Sequence, residues 1–164
     1  MAQLKREYLS LTPAKVDEMS KEDQLRLRNY VMANLLMDGG NQGDALRNMT
    51  VYDFKNAVLN RKTGTYSVNV LNHKKKSGEE VIVQFLSKTT WKIATLYLKF
   101  VRPMLVETQS VGLRKNSSMF GKKFVADPSK GEDGNPLFLS KHGQYMVSTD
   151  IVVKFIKMVL KDKC

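Results

Sequence analysis

The sequence predicts an α+β fold, mainly helical, with helices packed around a small three-stranded antiparallel sheet. Three observations predict it. Apolar residues recur at helical spacing in two long stretches, 20–38 and 87–102. Between them, from Ala57 to Leu86, the period drops to two. Glycine, proline and capping residues fall where the period changes. At 164 residues, 42% of them hydrophobic, the chain can bury one core, so residues 1–164 read as a single domain.

The elements follow in order. Thr12-Pro13 predicts a short leading helix with proline in its first turn. Ser20-Lys21-Glu22-Asp23 opens a longer one, with Ser20 as cap and acids in the first turn. Leu27, Tyr30, Val31 and Leu35 form its apolar stripe, widened by Leu25, Met32 and Leu36. Gly39 and Gly40 end it, as glycine does where the chain must adopt positive φ. Thr50-Val51-Tyr52-Asp53-Phe54 reads as a fresh helix start. Ala57-Val58-Leu59 is a strand, Lys62 to Thr65 a turn, and Tyr66, Val68 and Val70 alternate along a second strand. His73 to Glu80 is a polar hairpin tip, and Val81 to Phe85 the return strand. Ser87 caps a helix with Ile93, Leu96, Tyr97, Phe100 and Val101 on one face and Lys92, Thr95, Lys99 and Arg102 on the other. Pro103 ends or kinks it. Residues 108–135 form a long irregular loop, Leu137-Phe138-Leu139 an extended piece. Ser148-Thr149-Asp150 opens a last helix lined by Val152, Phe155, Ile156, Val159 and Leu160.

Composition narrows the function. No apolar run approaches the roughly 20 residues needed to span a bilayer, so no membrane partner is expected. MAQLKREYLSL is charged almost at once and does not read as a secretory signal. One cysteine, Cys164, excludes an internal disulfide framework and fits a reducing, intracellular setting. With only two histidines beside it, a metal site is not expected. Lysine and arginine total 27 against 16 acids, a net charge of +11. That balance points to a polyanionic partner, nucleic acid above all, because Lys and Arg contacts to phosphate release condensed counterions.

Few residues carry candidate chemistry. Gly39-Gly40-Asn41-Gln42-Gly43 lacks the Gly-Lys-Ser/Thr of a phosphate loop and follows no apolar strand, so locally it is a bend between helices. His142-Gly143-Gln144-Tyr145 lies between a short strand and a helix start, and reads as a polar turn. No nucleophile–base arrangement has supporting context, so neither a cofactor nor a small-molecule substrate is expected. Lys74-Lys75-Lys76 clusters three ammonium groups at the hairpin tip, either solvated or delivered towards a phosphate.

Together these parts resemble a known family. A helix, a glycine bend, "ALRNMTVYDF", a sheet whose hairpin carries "HKKKSGEEVIV", and a helix with "YLKFVRP" resemble the front half of a tyrosine recombinase (phage integrase-like) catalytic domain. The nearest flavour is the recombinase-like domain of animal genes descended from mobile elements. Leu46, Met49, Thr50 and Asp53 match the family's helix start, and the segment from Leu137 is similar to its "lFxxxxG" turn. The resemblance covers about Ser20 to Leu160.

The resemblance implies DNA integration and recombination chemistry, in which a tyrosine attacks a phosphodiester. Two arginines, a hairpin lysine and two further residues stabilise the charge that builds on the non-bridging oxygens. Two departures follow. Gln42 occupies the position of the first catalytic arginine, and an amide brings no charge. The family's His-x-x-Arg box and tyrosine would lie beyond Cys164. The hairpin lysine falls on Lys74, Lys75 or Lys76. The expectation is a truncated or degenerate recombinase-like domain that does not cut DNA but holds its backbone. Arg47, Lys74, Lys75, Lys76, Lys122 and Lys123 would make the phosphate contacts. Two rivals stand beside it: a domesticated protein-interaction or self-association module, and a fragment of an active recombinase. Nuclear residence in a eukaryotic host comes from the resemblance alone.

Overall fold

The structure is a computed structural model, and it describes residues 2–39, 43–72, 80–106, 133–139, 153, 156 and 157. Its elements are α1 (Ala2–Leu9), α2 (Pro13–Asp17), α3 (Lys21–Asp38), α4 (Gly43–Asn48), α5 (Val51–Lys55), β1 (Val58–Asn60), β2 (Thr65–Asn72), β3 (Glu80–Ser87) and α6 (Lys88–Leu96). A π-helical turn, Tyr97–Val101, continues α6, and residues 102–106 are again α-helical. The architecture is α+β and mainly helical, with one antiparallel sheet in the order β1-β2-β3.

Helix starts form where the caps stand. The Ser20 hydroxyl accepts from Asp23 N at 3.1 Å, and Thr12 and Ser87 do the same for α2 and α6. Thr50 and Asp53 make a reciprocal capping box: Thr50 N donates to Asp53 Oδ2 at 3.0 Å, and Asp53 N to Thr50 Oγ1 at 3.1 Å. Two features of the helices were not legible. α1 buries only Leu4 and Tyr8, too few repeats to reveal a period. α4 begins at Gly43, inside the stretch read as a simple bend.

Pro103 does not end its helix. Its missing N–H and its ring are incompatible with an ordinary turn onto the carbonyl four residues back. The chain instead widens just ahead of it, with Arg102 N donating to Tyr97 O, and stays helical to residue 106.

The sheet packs its inner face on α3 and α6. Val58 pairs with Ser67, and β2 pairs with β3 from Thr65↔Ser87 to Asn72↔Glu80. Val68, Val70, Gln84 and Leu86 are buried on the inner face; Tyr66 is half-buried there and stacks on Trp91, which stacks in turn on Phe54, each pair at 4.3 Å between ring centroids. Leu27, Val31, Leu35, Ile93, Tyr97 and Val101 complete the core. The segment Leu137 to Leu139 is buried beside the start of α5: Leu137 N donates to Met49 O at 2.9 Å and Val51 N to Asn135 O at 3.0 Å. Of the last predicted helix, Val153, Ile156 and Lys157 are described. All three are helical and exposed, so Ile156 does not lie on a buried stripe there. The loop over 108–135 lies almost wholly outside the described residues.

Candidate nucleic-acid interface

Most of the residues singled out in the sequence, Gln42, Lys74, Lys75, Lys76, Lys122 and Lys123, lie outside the described residues, as does the turn His142 to Tyr145. Arg47 is described: it stands in the last turn of α4 and is half-buried. The structure does describe the frame around the bend at 40–42.

That frame is built at the end of α3. Gly39 has φ −102° and ψ 10°, so the positive φ expected of it is not the reason for the glycine. The reason is space: a Cβ on Gly39 would overlap the side-chain amide of Gln84. Gln84 is 1% exposed, and its Nε2 donates to Leu35 O at 2.6 Å, a carbonyl that also accepts from Gly39 N at 2.9 Å. Among the described residues, its buried Oε1 meets no hydrogen-bond partner. One residue earlier, Asp38 Oδ2 accepts from Ser87 N at 3.0 Å and Thr90 Oγ1 at 2.9 Å. A carboxylate at the C-terminus of α3 is unfavourable to that helix dipole, but here it caps the N-terminus of α6. It supplies from another helix the acceptor that a capping box takes from within. The end of α3 is thereby fixed to β3 and α6 just ahead of residues 40–42.

A second set of polar groups was missed altogether. Arg28, 2% exposed, donates from Nη1 to Leu139 O at 2.7 Å and from Nε and Nη2 to Asn29 Oδ1 at 3.1 and 2.8 Å. Arg102, placed by its spacing on the solvent face, is half-buried instead. It donates from Nη2 to Pro136 O at 2.6 Å and from Nε to Leu137 O at 3.1 Å. Tyr97 Oη donates to the same Leu137 carbonyl at 3.1 Å. Burial lowers the pKa of both guanidinium groups and pushes the Tyr97 phenol up to about 12. These groups are a clamp: they satisfy carbonyls of a strap that meets the start of α5 through the antiparallel bridge Thr50↔Pro136. Thr50 and Asp53, matched to the family's helix start, form the reciprocal cap of α5.

Exposed charge gathers at one end of the sheet. Asn60 Oδ1 accepts from Lys62 N at 3.0 Å, Gly64 N donates to Asn60 O at 2.8 Å, and Gly64 closes the turn at φ 69°. Arg61 and Lys62 ride this turn, exposed. The pairing Thr65↔Ser87 sets it beside the start of α6, where Lys88 and Lys92 are exposed one helical turn apart. Among the described residues, Lys55 is paired with Asp133 at 2.9 Å, and no carboxylate lies within 4.0 Å of Arg61, Lys62, Lys88 or Lys92. No helix among the described residues is long and apolar enough to cross a membrane. Compared with models of known families, with curated proteins and with solved structures, the chain matches none.

Proposed function

We propose that the chain is a DNA-binding domain of tyrosine-recombinase-like build that holds the phosphate backbone without cutting it. The observation that carries the reading is the charge: +11 over the sequence, with Arg61, Lys62, Lys88 and Lys92 exposed at one end of the sheet and without a carboxylate partner among the described residues. Cations held in no ion pair there break none when they meet phosphate, and gain from counterion release. Lys74, Lys75 and Lys76 add charge through the β2–β3 hairpin, and Arg47, Lys122 and Lys123 belong to the same reading. Gln42 at the place of a catalytic arginine is what argues against cleavage: an amide cannot offset charge building on a phosphorane.

The test is a gel-shift titration on a duplex of arbitrary sequence across a range of salt. Affinity should fall linearly in log–log form, and Arg61→Gln with Lys62→Gln should reduce the slope by about two. A flat salt response, or a slope unmoved by that pair, refutes the reading. A covalent adduct on a nicked duplex, seen on a denaturing gel, refutes the absence of cleavage.

A further inference from the structure

Among the described residues, the β3 edge of the sheet pairs with no further strand and is capped at its end alone, where Ser87 N donates to Asp38 Oδ2. β1 closes the other side with three residues, whereas β3 runs for eight at the open edge of the order β1-β2-β3. Proteins blunt such edges with lysine, proline or bulges, because unpaired N–H and C=O groups invite another strand. β3, EVIVQFLS, has no lysine or proline, and its pairing with β2 runs unbroken through every residue, without a bulge.

Its outer face is also apolar. Val81, Val83 and Phe85 are 51%, 41% and 52% exposed. Val58, across Ser67 from Phe85 in the pairing, is 64% exposed. A row of alternate apolar side chains beside an open edge is what an extended peptide reads: main-chain bonds give affinity, and alternate side chains give specificity. The charge around it selects the partner. Lys88 follows the last residue of β3, and Arg61 and Lys62 share that end of the sheet, all unpaired among the described residues.

We propose that β3 is a docking edge for an extended segment of a partner protein in which apolar and acidic residues alternate. The segment adds as a fourth strand, laying apolar side chains beside Val81, Val83 and Phe85, with its acidic side chains on the opposite face and those at its end nearest Ser87 turned to Lys88 and the positive end of the sheet. A second copy of this chain fits less well, because it brings another +11 to the contact. Single-stranded nucleic acid also fits less well: bases need stacking platforms, and the stripe offers one aromatic ring among aliphatic groups.

The probe is a blocked ten-residue peptide alternating valine and glutamate, with a valine–lysine peptide as its counterpart, titrated into the full ¹⁵N-labelled chain. The expected result is shifts in the amides from Val81 to Ser87 and at least about tenfold tighter binding of the glutamate peptide. Val83→Thr with Phe85→Thr, which keeps strand-forming residues on the solvent face, should weaken it by a similar factor while leaving the urea midpoint unchanged. Methylating alternate peptide nitrogens along one edge should abolish binding to the unaltered chain; methylating the other edge should not. Shifts elsewhere, equal affinity for the two peptides, or indifference to methylation overturn the proposal. So does a dimer in sedimentation that the double variant disperses, which assigns the face to a second copy. A thymidine decamer that shifts the same amides and loses affinity in the double variant assigns it to nucleic acid.

Discussion

Replacing Gly39 by alanine tests how the end of α3 is built, and its sign separates two accounts of that glycine. Were Gly39 only a flexible helix end, alanine would stabilise the protein. Its φ of −102° is open to any residue, and the unfolded chain would lose entropy worth about 0.4–1 kcal/mol. The structure predicts the opposite. The new Cβ falls on the Gln84 amide, in a contact between the end of α3 and the inner face of β3. Gln84 must then give up its bond to Leu35 O and leave a buried amide donor unsatisfied, or α3 and β3 must separate; either costs roughly 1–3 kcal/mol. After the entropy gain is subtracted, Gly39→Ala should destabilise by about 1–2 kcal/mol. The cycle with Gln84→Ala makes the case specific. With the amide gone, alanine at 39 fits, and its effect should turn neutral or mildly stabilising, a coupling of about 2 kcal/mol. Urea unfolding followed by Trp91, the only tryptophan, measures both, since its stack on Phe54 and Tyr66 breaks with the core. A neutral Gly39→Ala, or single effects that add within about 0.5 kcal/mol, would refute the packing account.

The strap clamp makes two further predictions. Arg28→Lys should destabilise by about 1.5–3 kcal/mol in the same urea assay, because an ammonium cannot reach Leu139 O and Asn29 Oδ1 together as the planar fork does; an effect under about 0.5 kcal/mol would mean the clamp is incidental. Tyr97→Phe should cost about 1 kcal/mol at neutral pH through loss of the bond to Leu137 O, and should flatten the alkaline loss of stability. The sign follows from burial. The folded pKa is raised from 10.0 to about 12, so the unfolded chain releases its proton first. Stability is intact below pH 10 and falls between 10 and about 12, by roughly 1.4 kcal/mol per pH unit. Tyr8 and Tyr30, also raised by burial, keep part of that loss in the variant. Identical pH profiles for the two proteins would refute the assignment.

What the sequence showed and hid follows from the range of each interaction. α3 and α6 were legible because their stripes repeat over several turns and their caps lie within three residues of the groups they bind. The arginine clamp was not, because Arg28 meets Leu139 across 111 positions and Arg102 meets Pro136 across 34. No local pattern marks an arginine whose partners are backbone carbonyls that far away. For the candidate site, the tally of charge was legible but its placement was not. Exposure of Arg61, Lys62, Lys88 and Lys92 at one end follows from the pairing of β2 with β3, which pattern alone does not supply.

β3 is the sharpest case. Hydropathy along Val81-Ile82-Val83-Gln84-Phe85 sends Val81, Val83 and Phe85 inward and Gln84 to solvent, since a one-residue slip exchanges the faces. The structure does the reverse, burying Gln84 and exposing the other three. Two contacts outside the strand accompany the inversion: Leu35 O, which already accepts from Gly39 N, takes a second bond from Gln84, and Gly39 leaves the room for that amide. Burying the amide places an orphan oxygen in the core and an apolar stripe in water, costs that a strand facing only solvent would avoid. A bound strand would complete the open edge and flank the stripe with its own apolar side chains, so among the described residues the reversed face of β3 is where a partner strand gains most.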